Sequence, residues 1–235
     1  MRNLPTVTRY LLIANIFIFL VDDLLHLNLW HTCGLFYPET DFFHFWQPLT
    51  YMFLHADFSH LFFNMFAVWM FAPMIEQQWG ARRFSIYYLL CGLGAALIQE
   101  LVWMATGTGS VTIGASGAVF GILFAFGWLY PNVPMFILFI PIPIRARVFV
   151  IIYAVIELFA GLGSAFNFTA DNVAHFAHLG GFLFGWLVIL YWKKTNWREP
   201  GELWKDLCSK FGGHRRLDST DDKNKFDNYH YHRSV

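Results

Sequence analysis

The chain has 235 residues, 57% hydrophobic, 20% aromatic and only 14% charged, where a soluble domain carries about 25% charged residues. With a mean hydropathy of +0.44, this excludes an ordinary soluble globule and points to a polytopic membrane protein. Lys plus Arg and Asp plus Glu number 16 each, so the balanced charge points to no nucleic acid or other polyanionic partner.

The basic residues punctuate the chain. Arg2 and Arg9 come first, then Arg82 and Arg83, then Arg145 and Arg147, and the rest begin at Lys193. Between them the apolar segments fit six spans, at roughly 10–29, 58–79, 84–106, 113–130, 147–163 and 174–192. Six spans put every basic cluster on one side of the membrane, whereas five or seven scatter them. The positive-inside rule then places both termini in the cytoplasm. The first span reads as an uncleaved signal anchor, because Asp22-Asp23 follow it where a small-residue cleavage site would stand. The predicted fold is all-α: a six-helix membrane domain over 1–192 and a polar cytoplasmic tail over 193–235. Cys33, Cys91 and Cys208 fall at three different depths, so no disulfide within the chain and no metal-ligand spacing is expected.

Residues 30–57 form the longest outer connection. It is rich in aromatic residues, with Phe42-Phe43-His44-Phe45-Trp46, and Leu49–Leu54 reads as a short amphipathic helix lying in the bilayer interface. The second span opens with His60 and Asn64, which are four residues apart and share a helix face. It stops at Glu76-Gln77-Gln78-Trp79-Gly80. The third span, with Gly92, Gly94 and Glu100, is read as a packing helix. The fourth follows the polar turn Gly107-Thr108-Gly109-Ser110 and begins Gly114-Ala115-Ser116-Gly117, one serine among small residues, with Gly117-x-x-x-Gly121 as a close-packing face.

Pro131-Asn132-Val133-Pro134 marks a turn after the fourth span, and Pro141 and Pro143 rule out a continuous helix over 135–144. That stretch is read as a cytoplasmic-side connection dipping into the interface. The fifth span carries Glu157 near mid-depth, an intramembrane acid and so a functional candidate. No catalytic partner is evident for it, and a hydrogen-bonded structural role is the expectation. A short polar outer loop over 164–173 holds Asn167, Asp171 and Asn172. The sixth span begins at Ala174-His175-Phe176-Ala177-His178, and His178, Gly181 and Gly185 share one face.

Spans two, four and six all run inward, so His60, Asn64, Ser116 and His178 sit at a common depth just below the outer surface. Four polar side chains at one level imply a wet cavity open to the outside. Their chemistry is that of acyl transfer. Ser116 is the nucleophile, which needs a base, and His178 is the base. His60, the Asn64 amide and the Ser116 backbone N–H are the candidate oxyanion donors. No acid is placed at the depth of His178, so a Ser–His dyad is expected, with Phe120 offering its ring face to the imidazole. The two glycine faces, Gly117/Gly121 and Gly181/Gly185, bring the dyad within reach.

The set His60-x-x-x-Asn64, Gly114-x-Ser116-Gly117 and Ala177-His178-x-x-Gly181 resembles the rhomboid family of intramembrane serine proteases over about residues 10–192. The resemblance implies a six-helix bundle of bacterial type, with a membrane-embedded first outer loop. It implies Ser116 as nucleophile, His178 as general base and acid, and His60 and Asn64 at the oxyanion hole. It also implies substrate entry between spans two and five, small residues at the cleavage site, and a structural role for Glu76-x-x-x-Gly80. The family's outer loop often carries Trp-Arg, and here Trp46-Gln47 stands instead, which puts the anchoring of that loop in question.

The expected function is thus hydrolysis of peptide bonds in or beside the transmembrane segments of other membrane proteins, in a lipid bilayer, without cofactor or metal. The resemblance places it in a bacterial inner membrane, and the oligomeric state is not legible. A cluster of His55, His60, His175 and His178 is the competing metal reading, disfavoured because no His-Glu-x-x-His is present. For His55 and His175 the expectation is a hydrated or hydrogen-bonded histidine at the helix mouth. Two other classes compete: an inactive rhomboid-like protein that escorts membrane helices, and a transporter or channel. The first requires a lost dyad and the second paired intramembrane charges.

Overall fold

A computed structural model describes residues 4–107, 110–137, 140–165 and 174–195. In chain order the elements are α1 (Thr6–Leu25), α2 (Trp30–Cys33), α3 (Gln47–Thr50), which runs into a 3-10 turn (Tyr51–Phe53), α4 (Phe58–Trp79), α5 (Ala81–Thr106), α6 (Ser116–Leu129), the strands β1 (Pro134–Ile137) and β2 (Ile140–Arg145), α7 (Ala146–Ala165) and α8 (His175–Thr195). The protein is a mostly helical, polytopic membrane protein. A helix stands at each of the six predicted positions. Four of them, α4, α5, α7 and α8, are long and apolar enough to cross a bilayer. Of the other two, α6 has 14 residues, and α1 combines Arg9, Asp22 and Asp23 in its 20 residues. Met1–Trp192 forms one compact unit. The predicted polar loop residues Asn167, Asp171 and Asn172, and the tail from 196 on with Cys208, lie outside the described residues.

α1 lies about four residues earlier than its hydropathy indicates. Leu27 and Leu29 extend the apolar run, but His26 takes a left-handed conformation that ends the helix. The Asp22 carboxylate then accepts the Leu29 N–H and folds the chain back. α4 begins at Asp57, whose side chain accepts the His60 N–H as an N-cap. It stops at Gly80, where φ of +79° favours glycine. Within the connection after α6, residues 134–137 and 140–145 pair as antiparallel strands with a register shift between Phe136 and Ile137.

Glu76 explains its own place in the sequence. It is buried, and its carboxylate accepts the Val7 and Thr8 backbone N–H groups and the Thr8 hydroxyl, at 2.7–2.8 Å. The orphan donors of the first turn of α1 are thereby satisfied from another helix. Close by in sequence, the Arg83 guanidinium lies over the rings of Trp79 and Trp192.

The outer loop is tied to the chain that delivers the serine. Leu35 and Thr112 exchange two backbone hydrogen bonds of 2.9 Å, and the Gly114 N–H donates to the Tyr51 carbonyl. The Tyr51 hydroxyl donates to the Gly92 carbonyl of α5 at 2.7 Å. Gln47, where the family pattern often has Arg, does not loosen this loop. It is fully buried, accepts the Phe36 N–H and donates to the Thr32 and Phe42 carbonyls. The Trp46 indole N–H reaches the same Thr32 carbonyl at 2.9 Å.

Candidate active site

Ser116 is the first residue of α6 and stands in the half-buried mouth of the helix bundle. Gly114, two residues before it, has φ of +130°. A Cβ there would lie 2.7 Å from His60 Nε2, so only glycine lets the His60 ring approach the serine. On the far side, α8 packs onto α6 through its glycines. A Cβ on Gly181 would overlap the Gly117 carbonyl, and one on Gly185 would meet the Tyr87 hydroxyl and, at 3.4 Å, Gly121 Cα. The two small-residue faces meet, as their spacing predicts. Cys91 fills the space beside Gly121; it and Cys33 are free thiols.

This approach sets His178 Nε2 2.8 Å from Ser116 Oγ. The imidazole lies flat on Phe120, with ring centroids 4.2 Å apart and planes at 11°. Phe182 and Tyr153 support Phe120 in turn. Phe120 therefore fixes the plane in which the histidine meets the serine.

One expectation is overturned. An acid does stand beside His178: Glu157 of α7, itself buried, whose Oε2 lies 2.9 Å from His178 Nδ1. The same oxygen lies 2.7 Å from His175 Nδ1. His175 is accordingly a hydrogen-bonded histidine near the start of α8, buried against Glu157. The signal was present in the sequence. A lone acid inside a membrane must find donors, and the adjacent span offers two histidines three residues apart. These three side chains bring Glu157, His175 and His178 ligand atoms within 4.8 Å of one another, the spacing of a group able to hold a metal ion. In the described geometry those atoms hydrogen-bond to each other.

The expected oxyanion donors differ. His60 Nδ1 accepts the Ala56 N–H, which places the ring proton on Nε2, the nitrogen facing Gly114. Asn64 is buried, and its amide donates to the His60 carbonyl at 2.9 Å, within its own helix. It braces the turn that carries His60. His55 packs edge-on against His60 with centroids 4.9 Å apart. Neither of its ring nitrogens has a hydrogen-bond partner among the described residues. Burial, with the His60 ring adding to it, pushes its pKa down to about 3, so it is neutral at physiological pH.

A serine hydroxyl and an imidazole in contact at 2.8 Å, a second histidine against the glycine that precedes the serine, and apolar helices around them define a membrane protein with a polar site inside its bundle. The family model of the rhomboid domain matches residues 43–194, and the chain belongs to the rhomboid family. It is 32% identical over 158 residues to the mitochondrial Rhomboid-like protein 6 of Arabidopsis thaliana, covering 66% of this chain and 47% of that protein. It is 30% identical over 187 residues to the chloroplastic Rhomboid-like protein 11 of the same plant, covering 78% and 63%. It is 31% identical over 146 residues to YdcA of Bacillus subtilis (strain 168), whose name proposes a rhomboid protease, covering 61% and 67%. The chain spans about half the length of several of the curated relatives it matches. Relatives named for mitochondria and chloroplasts also remove the ground for a bacterial inner membrane as its location. It is an integral membrane protein.

Proposed function

We propose that this protein is an intramembrane serine endopeptidase that cleaves other membrane proteins in or next to a transmembrane segment. The observation that carries this reading is the contact of His178 Nε2 with Ser116 Oγ at 2.8 Å, in a half-buried mouth between apolar helices. Ser116 Oγ attacks the scissile carbonyl carbon while its proton passes to His178 Nε2. The carbonyl electron pair moves to oxygen, where the His60 Nε2–H and the Ser116 backbone N–H donate to it. Collapse of this intermediate breaks the C–N bond, and His178 gives its proton to the leaving amine. A water, deprotonated by His178, then attacks the acyl-serine; the acid is released and the proton returns to Ser116. The six helices are proposed as crossings with both termini on the cytoplasmic side, residues 1–192 as the membrane domain and 193–235 as a cytoplasmic tail. The alternative, a helix-binding relative without activity, is disfavoured because serine and histidine are both present and in contact.

The test is cleavage of a generic transmembrane reporter by the purified protein in liposomes, beside Ser116→Ala and His178→Ala, with and without a chelator. Cleavage lost in both variants by about 10⁴-fold or more and unaffected by chelation is the expected result. Cleavage that persists in Ser116→Ala contradicts the reading, and cleavage abolished by chelation favours a metal enzyme built on Glu157, His175 and His178.

A further inference from the structure

Glu157 is absorbed by neither the dyad nor the family motifs. It is a buried acid on α7 whose Oε2 faces two imidazole nitrogens, at 2.7 Å and 2.9 Å. An ionised carboxylate has only acceptors to offer, so both Nδ1 atoms must carry the proton. For His178 this choice is decisive. With the proton on Nδ1, Nε2 is left with its lone pair, and Nε2 is the atom 2.8 Å from Ser116 Oγ. The opposite tautomer would point an N–H at the serine and leave no base. Phe120 fixes the plane of the ring but does not choose between its two tautomers. Glu157 does.

We propose that Glu157 is the positioning residue of the nucleophile's base, so that this chain works with a Ser116–His178–Glu157 relay in place of a bare dyad, and that His175 holds the Glu157 carboxylate in place. The inference rests on the serine-protease reading. During attack by Ser116 the proton moves from Oγ to His178 Nε2, and the imidazolium so formed faces the Glu157 carboxylate through its Nδ1–H. Glu157 remains ionised throughout and gains no proton. His175 donates to the same oxygen from one turn earlier on α8. It therefore holds the carboxylate through a second hydrogen bond, independent of the one to His178. The sharing has a chemical consequence: His178 competes with His175 for one oxygen, so loss of His175 shifts the carboxylate and misaligns the base without removing it.

The experiment compares wild type, Glu157→Gln, Glu157→Asp and His175→Gln as full-length proteins in liposomes. It measures kcat and KM on the transmembrane reporter, the rate of fluorophosphonate labelling of Ser116, and thermal unfolding. Glu157→Gln keeps the shape but lets an amide N–H₂ face Nδ1 and favour the wrong tautomer. Its kcat and its labelling rate should fall about 10²–10⁴-fold, with KM within about 2-fold. Glu157→Asp should recover part of that loss, and His175→Gln should lose about 3–30-fold in kcat. A Glu157→Gln protein that folds and labels at the wild-type rate overturns the inference while leaving the protease reading intact. A loss carried by KM or unfolding temperature with kcat unchanged also overturns it, as a structural role. If Glu157→Gln does not fold, the Asp and His175 variants decide, and full kcat in both overturns it. Wild-type protein that neither cleaves nor labels defeats the protease reading itself.

Discussion

Two buried carboxylates, Glu76 at the end of α4 and Glu157 on α7, are satisfied in different ways. Glu76 takes its hydrogen bonds from the first turn of α1, two backbone N–H groups and a hydroxyl, none of which titrates. Glu157 takes its bonds from two imidazoles, one of them in contact with a serine. The first arrangement holds helices together, because none of the groups that donate to Glu76 can serve as a base. The second contains a group that can accept a proton and a nucleophile that can give one. An intramembrane acid is therefore not informative by burial alone; the identity of its donors separates scaffold from chemistry.

The comparison breaks if the two acids respond alike. Glu76→Ala should have the largest effect on stability. It leaves the Val7 and Thr8 donors without an acceptor and should cost about 2–4 kcal/mol in detergent unfolding, with kcat of the folded protein within about 2-fold of wild type. A large fall in kcat at unchanged stability would erase the distinction. Gly181→Ala joins the two kinds of effect, since its Cβ meets the Gly117 carbonyl and so forces α8 away from α6. About 1–3 kcal/mol of destabilisation should come with a kcat lowered roughly 10-fold or more, because the separation it opens is the one that Ser116 and His178 bridge. Unfolding and cleavage assays on one preparation check both.

A smaller effect sharpens the account at the site itself. Phe120→Leu removes the ring on which His178 lies. A loss of about 0.5–1.5 kcal/mol, read as a roughly 2–13-fold lower kcat/KM, is expected, with little change in stability. A pH dependence of stability is also expected from His55. Its folded pKa of about 3 lies below the ordinary histidine value. The unfolded chain therefore binds the extra proton first, and His55's contribution is complete above about pH 6.5 and lost as pH falls toward 3. The unfolding midpoint should decline across that window, and His55→Gln should flatten the decline.

Much of the candidate site was legible because its signals are local. Ser116 among glycines, the i, i+3, i+7 face of His178, Gly181 and Gly185, and His60 near the start of α4 all depend on helical periodicity and survive small errors in boundaries. Phe120 against His178 followed from the same counting. The contact of Glu157 with His178 was not legible because depth was counted along straight spans. α7 continues to Ala165, so Glu157 lies eight residues, about 12 Å, from its described outer end, while His178 lies in the first turn of α8. The mutual placement of the helices brings the two together, and periodicity within one helix carries no information about it. For Asn64 the described bond is to the His60 carbonyl four residues back, a local bond available to any Asn in a helix, and it uses one of the two amide donors. The hairpin of β1 and β2 escaped because two prolines exclude helix without announcing a strand.

The measurement that tests the central claim most directly is fluorophosphonate labelling of the full-length protein in liposomes, with the adduct mapped by mass spectrometry. The account predicts one adduct, on Ser116, formed at a rate that falls by at least about 100-fold in His178→Ala. An unlabelled Ser116 in the folded protein, or labelling that proceeds equally well without His178, would contradict it.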